Sequence, residues 1–262
     1  MSKMNRYSSL IEDIFLQKYT PGAKTVKFVR TDIEDAAVKL AVKLPKNLGD
    51  VIYSFKYRAS LPKRIMSTAE PDMDWVIKNI GRAQYAFQQV KFARIAPDPM
   101  MATIKIHDST PSIVGKYALN DEQALLTKLR YNRLIDIFTG VTCFSLQNHL
   151  RTTVPNVGQV ETDELYVGID KSGRQYIFPV QAKGGTDEIG TVQIEQDILL
   201  CQHKYPELIC RPIAAQFVEI DKIAIFEFVI EDGSIKKSQE KQYLLVDKNG
   251  ISLDELISYN KK

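Results

Sequence analysis

The chain has 262 residues, 44% hydrophobic and 26% charged, with 35 Lys and Arg against 32 Asp and Glu and a net charge of +3. That composition belongs to a folded globular protein and excludes a disordered or fibrous chain. No segment reaches about 18 uncharged apolar residues and no apolar run follows the basic start, so neither a membrane span nor secretion is expected. Cys143, Cys201 and Cys210 are odd in number and lack Cys-x-x-Cys spacing, which fits a reducing cytoplasm and not a zinc site.

Charge is unevenly divided along the chain. Residues 1–120 carry 19 Lys and Arg against 11 Asp and Glu, and residues 121–262 carry 16 against 21. A basic first half suits contact with a phosphate backbone, although solvated lysines give the same count. In that half Thr31-Asp-Ile-Glu34 reads as a capping box before the periodic Ala36–Val42, a helix that stops at Pro45. Basic and aromatic residues then alternate through Pro62-Lys-Arg64, Trp75, Lys78, Arg82, Tyr85 and Lys91, as on many nucleic-acid surfaces, with Trp75 itself read as core. Met100–His107 reads as a strand. The domain boundary is placed near 115, separating a basic α+β region at 1–115 with a DNA-binding role from an α/β core at 116–262.

The core opens with Asn120-Asp121-Glu122, a cap and an acidic first turn. A long helix is expected from there to Thr139, closing at Gly140. Glu122 shares the face of Leu125, Leu126 and Leu129, where a carboxylate near the helix start can meet first-turn amides. Phe144–Thr153 follows, with Gln147, Asn148, His149 and Arg151. Asn, Gln and Arg read purine edges in the major groove, so this is a candidate recognition loop; a capped helix with a wet polar side is the alternative.

The segment with most chemistry is Glu161-Thr-Asp-Glu-Leu-Tyr-Val-Gly-Ile-Asp170, a Lys-Ser-Gly turn, and Arg174–Lys183. Gly173 supplies the left-handed residue of a three-residue hairpin loop in which Asp170 faces Arg174. Counting back puts Asp163 opposite Gln181 and Glu161 opposite Lys183, all on one face. A two-residue turn instead brings Glu164 beside Gln181. Tyr166, Tyr176, Phe178 and Val180 cover the other face, which argues for a central hairpin. Carboxylates and an amide oxygen are hard ligands of the kind magnesium prefers, and a lysine beside them can orient a water or neutralise a phosphate. An ordinary hairpin with charged ends is the competing reading.

After Lys183, Gly184-Gly185-Thr186 turns into a helix over about 189–203 with Ile194, Ile198 and Cys201 inward and Gln193 and Gln196 flanking them. Strand-like runs follow at Leu208–Phe217, where Pro212 marks a bulge or edge, at Lys222–Ile230, and at Gln242–Val246 after a turn at 231–234.

Glu161-x-Asp163 followed by Gln181-Ala182-Lys183 resembles the signature of the PD-(D/E)xK nuclease superfamily, in the Gln-x-Lys variant of Mrr-like and type II restriction endonucleases, where glutamine replaces the second acid. The resemblance covers roughly residues 120–217 and departs from the pattern in lacking a Pro-Asp pair, which leaves Glu161 or Glu164 as the supporting acid. It implies a restriction-endonuclease-like core, a mixed sheet flanked by helices, and a Mg²⁺-dependent endodeoxyribonuclease that hydrolyses double-stranded DNA with a metal-activated water. Asp163, Glu161 and Gln181 would hold the metal, Lys183 would act on water or phosphate, Glu122 would support them, and Gln193 would touch the site or DNA phosphate. A cytoplasmic restriction–modification role further implies a homodimer and a cognate methyltransferase. The alternatives are a structure-directed repair or recombination nuclease, and a DNA-binding protein of the same fold without catalysis.

Overall fold

The computed structural model describes residues 6–57, 59–91, 93–119, 121–155, 157–184, 188–231 and 233–261. Asn120, Gly185, Thr186 and Asp232, which the sequence reading places in a cap and two turns, lie outside the described residues. The chain divides into two compact units. One runs to Ile95 and includes Thr153–Val160 and Gly190–Gln196; the other comprises Ala96–Thr152, Glu161–Ile189 and Asp197–Lys262. This division precedes the boundary near 115.

The first unit contains α1 (Arg6–Lys18), β1 (Thr25–Val29), α2 (Arg30–Lys39), α3 (Gly49–Tyr57), α4 (Lys63–Met66), β2 (Asp74–Gly81), β3 (Gln84–Val90) and β4 (Arg94–Ile95). Strands β1, β3 and β2 form an antiparallel sheet in that order. Leu10, Ile11, Ile14 and Phe15 recur at helical spacing and give α1 one buried face. Trp75 is core, as read: its ring meets Phe15 edge-on at 5.0 Å, and its indole N–H donates to Thr68 Oγ1 at 3.0 Å. Helix α2 starts one residue before the expected cap. The Asp32 carboxylate accepts from Val29 N at 2.7 Å, and the helix ends at Lys39, ahead of left-handed Ala41 and well short of Pro45.

Beyond Ile95 the chain forms β5 (Thr103–His107), α5 (Ser112–Tyr117), α6 (Glu122–Tyr131), α7 (Leu134–Thr139), β6 (Thr142–Val154), β7 (Gly158–Ile169), β8 (Gln175–Lys183), β9 (Ile189–Gly190) and α8 (Thr191–Lys204). It continues through β10 (Ile209–Cys210), β11 (Ile213–Glu219), β12 (Lys222–Glu231), β13 (Ser234–Val246) and α9 (Leu253–Tyr259). The large sheet runs β5-β13-β12-β11-β8-β7-β6, with β10 also beside β8. β8 is parallel to β11 and antiparallel to β7, and β13 is parallel to β5, so this is a mixed α/β sheet. Tyr166, Tyr176, Phe178, Val180 and Ala182 pack with Leu125, Leu126 and Leu129 of α6 and Leu134, Ile135 and Phe138 of α7. Helices thus cover one face, and Leu165, Ile177, Ala214 and Phe226 of the other face are equally buried. That burial on both sides explains the near-continuous apolar runs of β8 and β11.

Three expected elements differ. The helix over 120–139 is two helices, broken at Arg133 (φ 50). Its neighbour Asn132 donates to Asp108 Oδ1, Thr110 Oγ1 and Lys128 O and accepts from Ser109 N at 2.6 Å, so tying down the 108–110 loop outweighs helix continuity. Phe144–Thr153 is neither loop nor helix but most of β6, the last strand of the sheet. Pro212 divides the expected strand at 208–217 into β10 and β11 because it has no N–H for the ladder.

Candidate active site

The site grows from the β7–β8 hairpin. Asp170 N donates to Arg174 O at 3.1 Å and Gly173 N to Asp170 O at 3.0 Å, with Gly173 at φ 79, the left-handed conformation the turn requires. Pairing then runs from Ile169↔Gln175 to Glu164↔Val180, the register of the three-residue loop, so the two-residue alternative does not occur. Beyond Glu164 the expected arrangement of four residues on one face breaks up. The Asp163 carboxylate accepts from the backbone N–H of Ala182 at 2.8 Å through Oδ2. Gln181 turns its amide N–H to Asp197 of α8 and to Glu161 O. Glu161 pairs with Arg151 at 2.8 Å.

Lys183 instead reaches Glu122, with Nζ 2.8 Å from Oε1. Two local features make this meeting possible. The Asp121 side chain caps α6 by accepting from Ala124 N at 2.9 Å, which relieves Glu122 of first-turn duty. Gly184 lets the end of β8 run against that helix start: a Cβ there would lie 3.4 Å from Asp121 Cα and from Glu122 N. Lys183 is largely buried, whereas Glu122 keeps 39% of its side chain exposed. The ion pair therefore sits at the edge of solvent.

Asp163 lies within electrostatic range of both. Burial raises its carboxyl pKa above the ordinary value, the Ala182 N–H and Lys183 pull it down, Glu122 pushes it up, and His149 pulls it down. Among the described residues its Oδ1 takes no hydrogen bond. His149, left-handed at φ 47 in β6, lies 3.1 Å from Gln123 of α6 through Nε2. Asp163, Glu122 and Lys183, with His149 in electrostatic range of Asp163, are thus brought together from β7, α6, β8 and β6.

The remaining sequence candidates have partners of their own. Glu164 is fully buried on the α6 side, where one of its oxygens accepts from Arg130 at 2.8 Å and Ser145 at 2.6 Å. It belongs to that structural network, not to the Asp163 group. Asn148 accepts from Arg130 Nη2 at 3.2 Å and, with Gln147, is exposed on β6. Gln193 is in the first turn of α8, on the stretch that belongs to the first unit.

One residue was not singled out in the sequence. Asp197 is fully buried, accepts from Thr162 Oγ1 at 2.5 Å and from Gln181 Nε2 at 2.9 Å, and senses both Asp163 and Lys183. Burial pushes its pKa up to about 7 against those two hydrogen bonds. The available signal was spacing: Asp197 stands on the Ile194–Cys201 stripe of α8, where a carboxylate needs a reason.

Among the described residues no three His, Cys, Asp or Glu side chains are gathered into a ready metal cage. Magnesium does not need one, since it commonly takes one or two carboxylates and fills its shell with water and substrate phosphate. A desolvated Asp163 whose Oδ1 takes no hydrogen bond among the described residues, in electrostatic range of Glu122, fits that requirement. Glu161, held by Arg151, fits it less well. No protein-family profile, characterised protein or solved structure matches the chain.

Proposed function

We propose that this chain is a magnesium-dependent deoxyribonuclease of restriction type, built on a variant PD-(D/E)xK site in a restriction-endonuclease-like core. The observation that carries the reading is the meeting of Asp163, Lys183 and Glu122 at one end of the central β7–β8 pair. The Gln-x-Lys pattern supplies its chemical precedent.

Asp163 would anchor the cation through Oδ1, with Glu122 and the Gln181 oxygen as the further hard donors. Bound magnesium would supply Lewis-acid activation of a water and neutralise charge on the phosphate. Lys183 brings a proton donor and a positive charge to the same place. Its pairing with Glu122 fixes Nζ at the rim, where it can orient the attacking water or neutralise a phosphate oxygen. Burial of Asp163 lowers the local dielectric and strengthens each of these interactions. Gln147 and Asn148, exposed on β6, and Arg151 are the candidates for contacting double-stranded DNA. A homodimer is the simplest arrangement for cutting both strands.

Incubation of unmodified and cytosine-methylated plasmid with Mg²⁺ or EDTA tests the reading. Discrete fragments that vanish with EDTA are expected, and the comparison of substrates assigns the methylation class. Intact DNA with retained binding would favour a non-catalytic DNA-binding protein instead, and preferential cutting of branched or flapped DNA a repair nuclease.

A further inference from the structure

The two terminal strands of the large sheet are finished differently. β5 has only five residues, and α9 holds it: Lys105 N donates to the Tyr259 hydroxyl at 3.1 Å, and Lys105 Nζ pairs with Glu255 at 2.6 Å. Shortness, a lysine and a covering helix are the usual protections of a sheet edge against pairing with another chain. β6, at the opposite end, is neither short nor charged where it is most open. It has 13 residues, positions 142–148 bear no charge, and all six side chains at 144–149 are exposed, so neither face is closed over there.

Two of those side chains are large and apolar. Phe144 is 57% exposed and Leu146 48%. Cys143 belongs to the core on the α6 and α7 side, so alternation sets Phe144 and Leu146 together on the other face. Exposed Ile169 of β7 joins them, because its neighbour Gly168 lies against Cys143 on the core side. A contiguous apolar patch on an open edge is the mark of an interaction surface. The phase of the edge follows from one hydrogen bond. Cys143 N donates to Asp136 Oδ1 of α7 at 2.9 Å, so that N–H points out of the sheet; Ser145, two residues on, turns its N–H and C=O outward in the same way.

We propose that β6 is the surface through which two copies of this chain pair, antiparallel about a two-fold axis at Ser145, so that their large sheets become continuous. The strand is complementary to itself in that register, which selects a second copy as the partner. Ser145 meets Ser145 of the partner subunit with outward donor and acceptor matched, and each Phe144 lies opposite Leu146 of the partner subunit, an aromatic–aliphatic pair formed twice. Arg151, the only Lys, Arg, Asp or Glu of β6, falls past the end of the partner's strand, so no like charges oppose each other. The inference names the surface for the homodimer that the nuclease reading calls for, and its evidence stands apart from catalysis.

Light scattering of the full chain on gel filtration, across a range of concentrations, tests it. Wild type is expected at twice the chain mass. Phe144→Lys and Leu146→Glu each set a charge against an apolar residue on both sides of the axis, and each should raise the dissociation constant about 10- to 30-fold. Mixed in equal amounts, the two variants should regain near wild-type affinity, because the introduced ammonium and carboxylate meet across one side of the axis while the original pair survives on the other. Circular dichroism of each variant should match wild type, since both positions are exposed.

A single-chain mass at every concentration overturns the inference and leaves the edge to an extended segment of another protein. Variants that dimerise as wild type does, or a mixture no tighter than either variant alone, overturn it as well. A monomer that cuts DNA with Mg²⁺ removes the inference and leaves the nuclease reading standing; a dimer inert toward DNA does the reverse.

Discussion

Replacing Asp197 by Asn stabilises the protein, and does so in a pH-dependent way. Burial raises the carboxyl pKa to about 7 from an ordinary 3.8, and the hydrogen bonds from Thr162 and Gln181 only partly oppose it. A group whose folded pKa lies above its unfolded value favours the fold while both states are protonated, and that advantage is lost as pH rises through the folded value. The loss therefore begins near pH 4 and is complete just above pH 7. At about 1.4 kcal/mol per pH unit the three-unit window amounts to roughly 4 kcal/mol. For a chain of this size that corresponds to roughly 8–16 °C in unfolding temperature. Asparagine keeps the shape and an acceptor for Thr162 but does not titrate. Urea unfolding of both proteins, followed by circular dichroism between pH 4 and 8, isolates the effect, because other titrating groups cancel in the difference. The variant's advantage should grow with pH by about that amount and level off near pH 8. Parallel stability curves would refute the placement of Asp197 as a buried carboxyl without a cation.

Other consequences are as direct. Arg130→Met leaves the fully buried Glu164 with only Ser145 on its bonded oxygen, and should cost about 3 kcal/mol in urea unfolding, the low end for a broken buried pair because Arg130 is itself partly exposed. Adding Glu164→Gln should return part of that loss. Gly168→Ala places a Cβ 2.7 Å from Val141 Cγ1 and 2.9 Å from Phe178 Cε2, and should destabilise by about 1–3 kcal/mol; an unchanged unfolding midpoint would contradict the packing of β7 described here. Arg151→Ala should weaken duplex binding and reduce its salt dependence by about one ion, and Asn148→Ala should relax site preference. Unchanged affinity and preference would remove both from the DNA interface.

The hairpin was legible because its determinants are local. Gly173, the Asp170–Arg174 closure and the alternation of apolar residues fix the register within a few residues of the turn. Glu122 stands out because an acid on an apolar helix face is conspicuous, and the structure caps that helix with Asp121. Legibility ended where tertiary contacts decide. The single face for Asp163, Gln181, Glu161 and Lys183 assumed a ladder continuing past Glu164. There Ala182 N bonds the Asp163 side chain, and Gln181 answers to an aspartate of a later helix. The break at Arg133 depends on what Asn132 binds more than twenty residues away in the chain. The polarity of Phe144–Thr153 concealed a strand because a terminal strand of a sheet is wet along much of its length. Between Glu161 and Glu164 the sequence offered no choice; the partners Arg151 and Arg130 engage each separately.

The central claim is that Asp163 and Lys183 act on a phosphodiester. Single-turnover cleavage of an end-labelled duplex by wild type, Asp163→Asn and Lys183→Ala, with binding of the same duplex measured in Ca²⁺, tests it most directly. The account predicts Mg²⁺-dependent cutting that falls by about 10²–10⁴-fold in each variant, as expected when a group acting on the transition state is removed, while binding persists. Cleavage by either variant at the wild-type rate would contradict it.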